Sequence, residues 1–280
     1  MTRALSRYGV FVKLAIQNKM SFRADFWAGI GEALLTFCLG IYLWRAIYAG
    51  REELAGMSYV DMTTYLIVAA LVRGALSGSP IAAIGSAYMS GANAADMLKP
   101  LSYPMIILAR EAAEFALHLL FRGLPVFFAG VAFVPFHVPE FVSLPLFCVS
   151  LCFAFLLNFL LQFLVAQLVV YIHTWSGLTR FWAILVTFST GALVPLPFFP
   201  PLLRDVLYCL PFHGMFYTPV TIFRGTPPEV SPLAELIASA TTLPATAAMV
   251  LEQAAWCGVL ALLAQAAWRC SSQRFMAQGG

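Results

Sequence analysis

The chain has 280 residues, 61% of them hydrophobic and only 10% charged, with a formal net charge of +3. A soluble domain is about 25% charged, and so few charges cannot cover the apolar surface of a soluble globule. The same figures exclude a disordered chain and a disulfide-rich scaffold, leaving an integral membrane protein with room for a handful of spans of about 20 residues each.

From the N-terminus, Leu5, Tyr8, Val12 and Ala15 recur at helical spacing opposite Arg3, Arg7 and Lys13. That pattern predicts an amphipathic helix within residues 1–25, lying in the membrane interface. Phe26 to Ala49 reads as the first span and Met62 to Ile84 as the second. The segment Ser86 to Ala109 leans polar and exceeds the few residues a connector needs. Asn93 or Ser90 can cap a short helix there, and Pro100 stops it. The third span runs from Ala112 or Ala113 to Val134, the fourth from Phe141 to Tyr171, and the fifth from Phe181 to about Phe198.

Beyond it, Pro200, Pro201, Pro211 and Pro219 chop an apolar stretch into pieces too short to cross a bilayer. Residues 199–245 therefore predict re-entrant or interfacial helices whose broken backbone is shielded by protein. Leu233, Leu236, Ile237 and Ala240 suggest a short amphipathic helix in the polar second half. The sixth span is about Thr246 to Trp268, followed by a tail. Barrel strands alternate in segments of about ten residues, whereas these runs are continuous. The expected fold is an all-α integral membrane protein of six transmembrane helices, forming one transmembrane domain over residues 1–280.

Orientation follows the Lys and Arg distribution. Arg3, Arg7, Lys13, Lys19, Arg23, Lys99, Arg110, Arg180, Arg269 and Arg274 fall on one side, ten of the 16 basic residues. The other side holds Arg51, Arg204 and Arg224. Both termini are expected to be cytoplasmic, which requires an even number of spans. The net charge then reads as topology and does not suggest nucleic-acid binding, because the basic residues do not cluster with aromatics.

Charges at bilayer depth are costly and mark pathways or pairing sites. Glu32 lies in the first span and Arg73 near the middle of the second. Arg110, Glu114, His118 and Arg122 follow at four-residue steps, which places them along one slowly turning helix face. Asn158 and Gln162 share a face of the fourth span, and Glu252 lies in the outer part of the sixth. Two readings are open for Glu32, Arg73, Glu114, His118, Arg122, Asn158 and Gln162: interhelical pairing, or the lining of a translocation path or subunit seam.

Catalytic and metal signatures are missing. None of the three lysines follows a glycine, so there is no Walker A loop, and there is no His-Glu-x-x-His motif. Gly74-Ala-Leu-Ser77-Gly78 has one residue too many between Gly and Ser for the intramembrane serine protease pattern. The six cysteines have no partners spaced to complete a zinc site. No enzyme activity and no metal are expected.

Several stretches together resemble the type-2 exporter permease family, membrane subunits of bacterial ABC transporters. They are Phe22-Arg-Ala-Asp-Phe-Trp27 after a basic N-terminal helix, Gly91 to Tyr103 with its Leu98-Lys-Pro-Leu-Ser102 core, and Phe181-Trp182 leading through Ser189-Thr-Gly191 to Pro195-Leu-Pro-Phe-Phe-Pro200 and Leu210-Pro-Phe212. Pro219 to Gly225 and Gln253 to Trp256 complete the set. The resemblance implies a short coupling helix between spans 2 and 3 that docks onto a separate ATPase subunit through Asn93, Asp96, Met97, Leu98, Lys99 and Pro100. It also implies a second permease chain, identical or related, and ATP with Mg held on the partner ATPase, with no cofactor in this chain. The expected location is a bacterial inner membrane. Two alternatives belong to other classes: an ion-coupled secondary transporter using intramembrane Glu and His residues, although no internal repeat of that class is visible, and a non-transporting membrane scaffold.

Overall fold

The computed structural model describes residues 23–277 apart from 100, 140, 142 and 226–229. The predicted interfacial helix therefore lies almost wholly outside the described residues, as does Pro100. Helix α1 (Arg23–Ile47) leads through a small hairpin, β1 (Glu53–Leu54) paired antiparallel with β2 (Met57–Ser58). The two residues at its tip, Ala55 and Gly56, both have positive φ, as a tight hairpin turn demands. Ser58 and Asp61 then form a reciprocal capping box that starts α2 (Tyr59–Ala75).

The second predicted span is two helices, α2 and α3 (Pro80–Met89). The break follows from Pro80, which lacks an N–H and disfavours helical backbone in the residue before it. Ser79 caps the new helix through the Ala82 amide, and Gln162 donates to the Gly78 carbonyl at 3.4 Å, so polar groups at the break find partners inside the bundle. Together the two pieces make an apolar stretch of 31 residues, Tyr59–Met89.

After the short α4 (Asn93–Met97), the third stretch is α5 (Tyr103–His118), a π-helical turn (Leu119–Gly123) and α6 (Leu124–Phe133). It begins well before the predicted Ala112. Pro125 sits in the first turn of α6, where its ring clashes with the carbonyl four residues earlier and the widened turn relieves the conflict. The π turn interrupts the helical period between His118 and Arg122. Gly74 and Gly123 let the backbones touch here: a Cβ on Gly74 would lie 2.7 Å from Gly123 Cα. Small residues allow such close helix approach in membranes.

Helix α7 (Ser143–Ala166) is the centre of the bundle, extended by α8 (Val169–Ile172). It packs against α3, α11 (Tyr217–Arg224) and α13 (Ala245–Ala277). Polar bridges fasten α13 to it: Ser150 to Gln253, Ser271 to Gln167, and the Cys257 thiol to the Phe153 carbonyl.

Five described stretches are long and apolar enough to cross a membrane: Trp27–Ile47, Tyr59–Met89, Tyr103–Phe133, Ser143–Ile172 and Ala245–Ser272. The predicted fifth span is different. Its helix, α9 (Ser176–Ser189), has 14 residues, or about 21 Å against a hydrocarbon core of about 30 Å. Its continuation turns at Gly191, with φ +79°, and is bound by α2: Tyr65 donates to the Gly191 carbonyl at 2.7 Å and Arg73 to the Ala192 carbonyl at 2.9 Å.

The proline-cut segment forms α10 (Pro201–Tyr208), a 3-10 turn (His213–Met215) and α11, whose residues 217–223 are buried. Arg224 closes it with an ion pair to Asp61 at 3.1 Å. Helix α12 (Pro232–Thr241) forms where the amphipathic pattern was read, but on another face: Ala234 is buried while Leu233 and Leu236 are exposed.

Candidate functional site

Helix α4 is only five residues long and has no side-chain cap, so its neighbours must hold it. Asp96 is the anchor. Its carboxylate accepts from Arg110 of α5 at 2.7 and 2.9 Å and from Lys99 at 2.6 Å. Burial by itself raises the Asp96 pKa; the bonds and charges of Arg110 and Lys99 outweigh it and hold the carboxyl below its ordinary 3.8. Asn93, also buried, accepts from the Tyr103 hydroxyl at 2.8 Å and donates to the Ile84 carbonyl at 3.5 Å. Met97 is half-buried, Lys99 reaches the surface, and Leu98 is 87% exposed. The predicted contact set thus divides: Asn93 and Asp96 point into their own chain, and Leu98 points out of it.

Three of the predicted intramembrane residues meet in one groove. Glu32 of α1, Arg73 of α2 and Arg122 of the π-helical turn line a cavity of about 160 Å³ between α1 and α2. Arg122 lies over Gly29, in space a side chain there would occupy, and donates to Ser77 at 3.4 Å. Arg73 donates to Ala192 and feels the Glu32 carboxylate. The far end of the groove is apolar, with Leu43, Trp44 and Leu66.

A second group lies in the bundle interior. Gln162 donates to Asn158 at 3.0 Å on buried faces of α7. Glu111 faces the break between α2 and α3, its Oε2 2.7 Å from where a Gly78 Cβ would stand. Glu111 and Asn158 line the same small void beside Gly78. His118 is buried and Glu114 half-buried on α5, neither in the groove with Arg73. Reading the third span from Ala112 left Glu111 outside it. Its place beside Arg110, after the apolar run of residues 105–109, was the available signal.

At the opposite end from α4, Glu252 of α13 is buried with His213 and Ser231. The His213 Nε2 is 3.3 Å from Glu252, and the Ser231 hydroxyl donates to the same carboxylate. Next to it Gln253 donates to the Gly214 carbonyl at 2.7 Å. The bonded partners lie 21 or 39 positions apart in sequence, and no spacing rule could have joined them. Among the described residues, no His, Cys, Asp and Glu side chains gather as a metal site.

Long apolar helices with proline-broken segments tucked among them, and polar side chains gathered on internal faces, describe a multi-pass membrane protein. A family model described as ABC-2 family transporter protein matches residues 34–279, and the chain belongs to that family. It is a permease of an ABC transporter. No curated protein matches the chain, and no solved structure does.

Proposed function

We propose that this chain is the membrane subunit of an ATP-driven exporter, working beside a second permease and driven by separate ATPase subunits. The observation that carries the reading is α4. A five-residue helix between two membrane stretches is fixed from inside by Asp96 and Asn93, and just past its end stand a leucine 87% exposed and a lysine. A rigid short helix with an apolar tip is suited to passing a partner's movement to α5, because Arg110 ties it directly to that helix. In this reading Leu98, Lys99, Met97 and Pro100 meet the ATPase, while Asn93 and Asp96 transmit the force. In this reading, which the Lys and Arg bias supports, α4 and both termini lie on the cytoplasmic side of a bacterial inner membrane. Helix α9 with its irregular continuation then makes the fifth crossing and α13 the sixth, and residues 201–224 dip back from the outer face.

The test is co-purification from the native host with a tag on this chain. An ABC ATPase should accompany the wild type, and Leu98→Asp should lose it without lowering the yield of folded permease, since Leu98 has almost no contacts within the chain to lose. Recovery of the wild type with no ATPase, or of Leu98→Asp with undiminished ATPase, refutes the proposal.

A further inference from the structure

The groove between α1 and α2 has a charge imbalance. Among the described residues lining it, two guanidinium groups face one carboxylate, leaving one net positive charge at bilayer depth. An uncompensated charge there is costly, and an anion removes the cost. Arg122 spends one of its five N–H donors on Ser77 at a long 3.4 Å, so donors remain for a ligand. The groove is also polarised along its length. It follows α1 from Gly29 to Trp44, about 22 Å of helix axis. Glu32, Arg73 and Arg122 stand at one end, and Phe37, Gly40 and Leu66 continue it toward Trp44. Glu32 and Leu43 are exposed on α1, whose residues are mostly unburied, so the groove is open along that helix.

We propose that this groove binds an amphiphile with a singly anionic head group, its carboxylate, phosphate or sulfate held between Arg73 and Arg122 and its alkyl chain lying along α1 toward Trp44. Glu32 sets the charge of the ligand. With it ionised, one negative charge balances the site, and a cationic amphiphile meets two guanidinium groups. A water-soluble anion gains the same ion pairs but none of the apolar burial, worth about 0.8 kcal/mol per CH₂. The inference names a substrate class for the proposed exporter and rests on that reading only for its transport consequence.

Binding is measured on the purified full-length chain in phosphatidylcholine nanodiscs, with a pyrene-labelled long-chain carboxylate as probe and tryptophan-to-pyrene energy transfer as readout. Saturable binding is expected. Arg122→Gln should weaken it about tenfold or more, the factor carried by one charge-assisted hydrogen bond. Arg122→Lys should retain most of it, and Glu32→Gln should tighten it. Equal binding of a matched trimethylammonium probe, an unchanged affinity in Arg122→Gln, or displacement by millimolar inorganic phosphate overturns the proposal. No ATPase is present in this assay. Probe binding without ATPase co-purification would therefore sink the exporter reading alone, and the converse would sink only the groove.

Discussion

Replacing Asp96 with asparagine removes the charge that three cationic hydrogen bonds converge on, two from Arg110 and one from Lys99. Fully buried, each would be worth about 1.5–3 kcal/mol. The Arg110 and Lys99 side chains are 36% and 38% exposed while Asp96 is 11% exposed, so water recovers much of the loss, as it does for surface pairs. Asparagine also keeps one acceptor oxygen. The net cost is about 2 kcal/mol, and it should fall on α4, which has few other ties. In native-state hydrogen exchange that corresponds to roughly 30-fold faster exchange across residues 91–99, with α7 and α13 unchanged. Combining Asp96→Asn with Arg110→Gln should cost less than the sum of the two, with a coupling of at least about 1 kcal/mol. The acid response has a definite sign. A carboxyl whose folded pKa lies below 3.8 contributes stability that is complete above the unfolded value and is lost as pH falls through the folded one. Protection of α4 should therefore be flat down to about pH 4 and fall below it, and Asp96→Asn should lack this step. Exchange within about twofold of the wild type, or a variant that keeps the acid step, refutes the argument.

Two further outcomes follow from packing and from hydrogen bonding. Gly74→Val drives a side chain into the Gly123 backbone, where nothing flexible can yield. It should destabilise by at least about 2 kcal/mol, read as a lowered midpoint in thermal size-exclusion, while Gly31→Val, in open space, should shift it little. Gln253→Met keeps the volume but strips the Gly214 carbonyl of its side-chain donor and the Ser150 hydroxyl of its acceptor. A loss of about 1–3 kcal/mol is expected, with faster exchange at residues 213–216 ahead of any change at α4.

Composition and periodicity decided the fold class, because apolar runs without charge have only one stable solution in lipid: backbone hydrogen bonds closed within each helix. The proline positions marked where the outer segment breaks, since a missing N–H is a local property. Local reasoning also placed α4. It failed where a local rule met a packing solution. Pro80 and Pro125 sat inside runs read as unbroken spans, and whether they end, kink or widen a helix depended on the neighbours that accept the strain: Gln162 at one break, the Gly74–Gly123 contact beside the other. The even stripe from Arg110 to Arg122 assumed an unbroken helical period, which the π turn at Leu119–Gly123 interrupts. Arg110 went to Asp96 and Arg122 to the groove with Arg73 and Glu32. Asn93 and Asp96 were legible as a segment but not as anchors, because their partners, Tyr103 and Arg110, lie on the next helix. The sequence determined which residues must be helical and which charges needed company. Only the tertiary structure decided the company, since a membrane charge takes whichever partner the helix crossing brings within about 3 Å, and that crossing is set by side chains far apart in the chain.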